Sequence, residues 1–304
     1  MSDTPDRDHT RALLLALFVT MLWASSWVLI RWGLDDEGLR PITFAGIRYL
    51  IAAVVLAAVA AATPSARSSI VGMGRRSWVT LSVLGLVFVA LAQGAQFVAI
   101  DAQPAATTSL ILSLTPLLVA GVSTTVLGER PAIAQVLGTL LIVVGAIVYF
   151  LGDLGFTGLG LLAALVGLIA NAAGALIGRS VNRERSLSPL VVTVVSMSVG
   201  ALALIIGGLT VEGWPALSGR AWLILLWLAV VNTALAFTLW NRSLQHLSAT
   251  ESSAINNTML IQIGLLAWVF LDEVPGVLDV FGMLAVSAGV YLASRPRLEV
   301  KVPA

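Results

Sequence analysis

Ser253, Asn256 and Asn257 are spaced i, i+3 and i+4 in an apolar stretch that reads as a helix, which puts all three side chains on one face. Hydroxyls and amides donate and accept hydrogen bonds without carrying charge. Such a face suits the reversible holding of a small polar molecule better than the making or breaking of a covalent bond. Asn256 stands about 12 Å along its helix at 1.5 Å per residue, close to the middle of an apolar span. Asn171 and Asn232 fall at similar depth in two other apolar stretches, and Gln93 and Gln96 share a face of a further one. Ser109, Ser113 and Thr115 flank Pro116. Two readings are open for these groups. They can line a polar cavity for a zwitterion or neutral solute, or they can bond between helices at about 0.6 kcal/mol per contact. A single Ser or Thr fits the second reading. The deep amides of Asn171, Asn232 and Asn256 need several partners each and fit the first.

Trp23 and Trp27 lie four residues apart on one face of the first apolar stretch and can form an apolar wall, or simply pack. Arg48 is the one charge clearly inside a span, about 10 Å below the surface if its helix is regular. It can attract a carboxylate, or it can brace the fold by pairing with Asp101 or with helix carbonyls. The brace is the favoured expectation. Glu129 and Glu273 sit in equivalent turns and read as hinge and cap residues. Glu251 is expected to be solvated, and His9 and His246 to lie in a tail and a short loop. Residues 12–30 hold no acid, and the spans hold no paired Asp, Ser–His pair or HExxH motif. No Gly-rich phosphate loop appears, so neither enzyme chemistry nor a nucleotide is expected, and no cofactor or metal is implied.

Positioning such groups falls to long apolar helices. Of the 304 residues, 58% are hydrophobic and only 11% charged, with a mean hydropathy of +0.97. A water-facing domain carries about 25% charged residues, so most of this surface must face lipid. Seventeen basic against 16 acidic residues argues against a nucleic-acid partner, and the absence of Cys excludes disulfides and thiolate chemistry. The polar start, with three Asp in ten residues, is unlike a signal peptide. Ten segments are apolar enough to span: 11–32, 41–62, 77–100, 104–127, 131–151, 157–179, 188–210, 219–242, 248–271 and 276–294. Pro41, Pro104, Pro131, Pro189 and Pro275 sit at segment starts, where a missing N–H costs least. Pro116 lies inside the fourth segment and is expected to kink it and free a carbonyl. Gly174 and Gly178 form a GxxxG pair that serves packing within the bundle or between copies equally well.

The chain also repeats itself. Leu127-Gly128-Glu129-Arg130-Pro131 is matched 144 residues later by Leu271-Asp272-Glu273-Val274-Pro275. The same offset superposes Ser109 on Ser253, Gly138 on Gly282 and Gly145 on Gly289. Five segments per copy is an odd number, so the second copy must insert upside down relative to the first. With the N-terminus cytoplasmic, thirteen basic residues fall at inner ends, and only Arg31, Arg40 and Arg220 at outer ones. The expected fold is an all-α integral membrane protein with ten transmembrane helices in two inverted five-helix repeats around a central cavity. Tails at 1–10 and 295–304 would be cytoplasmic, and the repeats would occupy 11–152 and 153–294.

Several stretches resemble the EamA-type branch of the drug/metabolite transporter superfamily. They are Trp23-Ala24-Ser25-Ser26-Trp27, Pro41 followed by Arg48, Pro104-Ala105-Ala106 through Pro116, and the two acidic hinges. The resemblance covers about residues 11–294, and within the family the chain is similar to YddG-type exporters of amino acids. It implies ten helices, inverted halves and export of small metabolites from the cell across the inner (plasma) membrane, with alternating access about a site near the midplane. The expected cargo is an aromatic or neutral amino acid, moved down its gradient. A broad exporter of apolar compounds is the second reading. A membrane enzyme or scaffold would need a catalytic constellation or an extramembrane domain, and the sequence offers neither.

Overall fold

A computed structural model describes residues 4–103, 108, 111–128, 132–149, 157–271 and 276–293. Every regular element among them is helical. The order is α1 (Thr4–Arg31), α2 (Pro41–Ala62), α3 (Pro64–Val71), α4 (Arg75–Leu84), α5 (Ala92–Ala102), α6 (Thr115–Val126) and α7 (Ile133–Tyr149), then α8 (Gly158–Arg183), α9 (Pro189–Val211), α10 (Gly219–Ala229), α11 (Ala236–Ser243), α12 (Ala249–Asn256), α13 (Thr258–Leu271) and α14 (Val277–Ala293). Three wider π-helical turns interrupt or extend these: π1 (Trp32–Asp36) follows α1, π2 (Gly85–Leu91) joins α4 to α5, and π3 (Val230–Leu235) joins α10 to α11. Serine or threonine opens α8, α9, α10 and α12, where the side chains of Thr157, Ser188, Ser218 and Ser248 each accept a backbone N–H of the first turn.

Among the described residues, six helices are long and apolar enough to cross a membrane: 8–34, 41–62, 75–99, 158–183, 189–211 and 219–243. The remaining apolar segments form shorter helices among the described residues. The fifth and tenth form helices of 17 residues each. The fourth is not merely kinked: Pro116 occupies the first turn of α6, so a helix begins there. Proline cannot donate to the carbonyl four residues earlier. That carbonyl, Leu112 O, accepts the Thr115 hydroxyl at 2.6 Å. The ninth segment divides at Asn257 with no proline at all. Glu129 and Glu273, the two expected hinge residues, lie outside the described residues.

Helix pairs approach closely where glycines meet. A Cβ at Gly138 would lie 2.5 Å from Gly289 O, and one at Gly289 would lie 2.6 Å from Gly138 O. One at Gly145 would lie 2.9 Å from Gly282 O, and one at Gly282 would lie 2.7 Å from Gly145 O. α7 and α14 therefore run antiparallel with almost nothing between their backbones, as small residues permit in an apolar setting. α2 and α9 pack similarly, with Gly46 against the Ile205 backbone and Gly208 against that of Thr43.

Charged contacts gather at the two ends of the bundle. At one end Arg220 pairs with Asp36 at 2.9 Å. There Glu212 accepts the backbone N–H groups of Ile42 and Thr43 at 3.1 and 2.7 Å, capping α2 from the end of α9. At the other end Arg179 and Arg183 donate to the Leu244 and Leu127 carbonyls, each at 2.7 Å. Glu251, expected to be solvated, is only 6% exposed. It completes a capping box with Ser248 and lies 3.6 Å from His9. His9 itself belongs to α1 rather than to a loose tail.

The glycine contacts make a direct prediction. Gly145→Leu should lower the thermal midpoint of the detergent-purified protein strongly, because overpacking typically costs about 1–3 kcal/mol. Gly121→Ala, where a Cβ meets nothing within 4 Å, should leave the midpoint unchanged.

Candidate functional site

Two helix breaks meet inside the bundle. At the first, Leu114 N donates to Ile111 O at 3.2 Å and Leu117 N to Leu114 O at 3.0 Å. At the second, Asn257 N donates to Ala254 O at 3.1 Å and Leu260 N to Asn257 O at 3.2 Å. Both are tight i to i+3 turns, each followed directly by an α-helix. Between them Asn257 Nδ2 donates to the carbonyl of Ser113 at 3.0 Å, and the two residues are 144 apart, the offset of the sequence repeat. The break in one copy is thus bonded to the equivalent break in the other. α12, which ends at this point, packs against α1, α6, α7, α8, α13 and α14.

The expected face of α12 therefore divides in function. Asn257 is committed to Ser113, whereas Asn256 Oδ1 and Ser253 Oγ are enclosed with no hydrogen-bond partner. Across the bundle, Gln93 and Gln96 on α5 are half-buried. The Gln96 backbone lies beside Gly167 of α8, where a Cβ would come within 3.8 Å of Gln96 N and 3.4 Å of Leu112. Asn171 stands one turn further along α8 and folds its amide back onto Gly167 O at 2.9 Å. Gln96, Asn171 and the first break thus share a neighbourhood.

Asn232 takes a different part. It is fully buried in π3, and its Nδ2 donates to the Leu22 carbonyl and to Ser25 Oγ, tying π3 to α1. Its Oδ1 is enclosed and unpartnered. Arg48 on α2 grips the same turn, donating from Nε to Thr233 Oγ1 at 2.7 Å and from Nη2 to Asn232 O at 3.4 Å. Helix carbonyls are thus among its partners, as expected. The side chain of Asp101, the alternative partner, lies outside the described residues. Trp23 stacks in an aromatic group, 5.1 Å from Phe237 and 5.1 Å from Trp240, with its Nε1 enclosed and unpartnered. Ser109 lies outside the described residues, as does the side chain of Trp27.

Other polar groups escaped the sequence reading. Thr20 and Thr258 meet at 3.1 Å, and Gln262 Nε2 donates to Thr20 at 3.1 Å, joining α1 to α13. Asn182, Asn241 and Thr193 form a chain at one end of the bundle. The Glu251 cap could have been found, since Ser248 and Glu251 have capping-box spacing. Nothing in sequence pairs Glu212 with α2. In the loop between α11 and α12, burial first and the Arg185 guanidinium next push His246 below the ordinary imidazole range.

Among the described residues, no group of His, Cys, Asp and Glu is placed to hold a metal ion. What the central groups offer is hydrogen bonding: unpartnered acceptors at Ser253, Asn256 and Asn232, an unpartnered donor at Trp23, and two glutamines. The division between Asn256 and Asn257 is testable by thermal unfolding. Asn257→Leu should destabilise by about 1–3 kcal/mol, because it removes a buried hydrogen bond to the Ser113 carbonyl. Asn256→Leu, which removes an already unsatisfied group, should cost little or stabilise.

Comparison with known proteins gives a consistent picture. A sequence profile described as the EamA-like transporter family matches residues 10–151 and again 158–295. The uncharacterized transporter YvbV of Bacillus subtilis (strain 168) is 27% identical over 234 residues, covering 75% of this chain and 73% of that protein. The uncharacterized transporter YyaM of the same organism is 24% identical over 265 residues, covering 84% of each. A crystal structure superposes with a TM-score of 0.79 at 20% identity, covering 93% of this chain and 96% of the other. That last likeness speaks to the fold alone.

Proposed function

The chain belongs to the EamA-like transporter family, and on that premise we propose that it exports amino acids, aromatic or neutral, and similar small metabolites by alternating access. It is a multi-pass membrane protein and a transporter rather than an enzyme. In this reading ten segments cross the plasma membrane as two inverted halves, 11–152 and 153–294, with both termini in the cytoplasm. Three observations support the inversion. The profile matches twice, the α7 and α14 glycine contacts exchange when the copies are exchanged, and the wide turns π2 and π3 recur at equivalent places in the two copies. The excess of basic residues at one set of helix ends supports the orientation.

The observation that carries the transport site is the pair of joined breaks at Ser113 and Asn257, with enclosed, unpartnered Ser253 and Asn256 beside them. Interrupted helices near the midplane are where inverted-repeat carriers bind solute. The halves rock about this junction, and the solute takes up the free hydrogen bonds of Asn256, Gln93, Gln96 and Asn171. Movement is facilitated rather than proton-driven. Glu251 is the one buried carboxylate among the described residues, and its oxygens are engaged by the Ser248 cap and His9.

The aromatic group around Trp23 supports a second reading, a broad exporter of apolar compounds. In that case amino acids with blocked amines and carboxylates would compete as well as free ones.

Proteoliposomes loaded with labelled phenylalanine test the main reading. Efflux should run down the gradient, and Asn256→Leu or Gln96→Leu should slow it at least tenfold while leaving the protein folded. A pH gradient imposed at zero membrane potential should not drive accumulation. Accumulation against the solute gradient under those conditions would show the movement to be proton-coupled.

A further inference from the structure

Arg48 is 5% exposed in the first half of α2, one of the helices long and apolar enough to span a membrane. A guanidinium stays protonated in proteins, and an intramembrane charge is costly unless it is paired. Among the described residues Arg48 has no such pair. Its partners are the Thr233 hydroxyl and the Asn232 carbonyl, both neutral, and among the described residues its Nη1 has no hydrogen-bond partner. The chain from residue 38 to residue 100 contains no acid, and the side chain of Asp101 lies outside the described residues. Two neutral acceptors explain how the side chain is held but leave its charge unanswered. They grip the Nε edge of the guanidinium and leave Nη1 free.

The surroundings suggest what answers it. The guanidinium lies 5.4 Å from the Tyr49 ring. Tyr49 packs 6.0 Å from Phe237, and Phe237 lies 5.1 Å from Trp23. A cation thus adjoins a continuous aromatic group. The unpartnered Trp23 Nε1 belongs to that group, and the unpartnered Asn232 Oδ1 to the turn that Arg48 grips. A permanent cation, a spare N–H donor and aromatic side chains together complement a carboxylate-bearing molecule with an apolar side group, and the spare oxygen can accept from an amine on it. We infer that Arg48 is the counter-ion for the carboxylate of the transported molecule, which docks its apolar group against Trp23, the partly exposed member of the buried Trp23–Phe237–Tyr49 group. The inference rests on the transport reading above and narrows its cargo to carboxylates.

The test uses the full chain in lipid nanodiscs, with binding of three probes measured by calorimetry: phenylalanine, phenylalaninamide and 3-phenylpropanoate. Wild type should bind phenylalanine at least tenfold more tightly than its amide. Arg48→Gln, shown folded by its circular dichroism and thermal midpoint, should bring the two within about twofold. Should that variant not fold, the wild-type comparison decides alone, since equal binding of acid and amide overturns the assignment. If 3-phenylpropanoate binds in an Arg48-dependent way and phenylalanine does not bind, the carboxylate assignment stands and the amino-acid reading fails. If phenylalanine binds with an unchanged preference over its amide in Arg48→Gln, the amino-acid reading stands and the role of Arg48 is overturned. No binding of either carboxylate overturns both.

Discussion

The hydrogen bond from Asn257 to the Ser113 carbonyl marks the constraint on which the rest of the structure depends. Inside an apolar bundle no water waits to satisfy a broken helix, so each interruption must find a partner within the protein. Pro116 withdraws a donor, and the Thr115 hydroxyl turns back to meet the carbonyl left at Leu112. The turn at Ser113 exposes a further carbonyl, and the amide of the matching turn in the other copy reaches it. Neither interruption is an isolated local event. Each copy supplies what the other lacks, and the two halves are bonded where both are irregular.

That requirement sorts the polar side chains of the interior. Some are consumed by the scaffold: Asn257 by the paired breaks, the Asn232 amide nitrogen by α1, and Thr20, Thr258 and Gln262 by each other. Others stay uncommitted although they are enclosed, namely Ser253, the Asn256 oxygen and the Trp23 indole nitrogen. A buried polar atom without a partner is costly, and the cost is tolerated where something else arrives to satisfy it. Charge follows the same logic. Acids and bases collect at the two ends, where water is near, and among the described residues Arg48 alone of the buried side chains carries a cation into the interior.

Much of this was legible in the sequence. Apolar runs mark the helices because lipid exposure demands them over about twenty residues, and α2 was expected at 41–62 and found there. The glycines at 138, 145, 282 and 289 stood out through the repeat and turned out to be mutual contacts. Errors arose where one residue type serves opposite purposes. Pro116 was expected inside a kinked helix and instead begins one. Asn257 was grouped with Asn256 because helical spacing puts them on one face, yet the helix ends between them. Glu251 reads as a surface acid by position, and its burial follows from the packing of α12 among six other helices.

Composition and repetition alone determined that this chain is a helical membrane protein built from two related halves, because hydropathy and a fixed offset are properties of the string itself. Which amides brace the bundle and which remain free was decided only by the tertiary structure. A side chain's role depends on whether a partner from a distant segment comes within about 3 Å of it, and the sequence spacing within one helix carries no information about that. Arg48 shows the limit most clearly. Its presence in an apolar span was visible at once, but the neutral partners that hold it emerged only when α2 was set against π3.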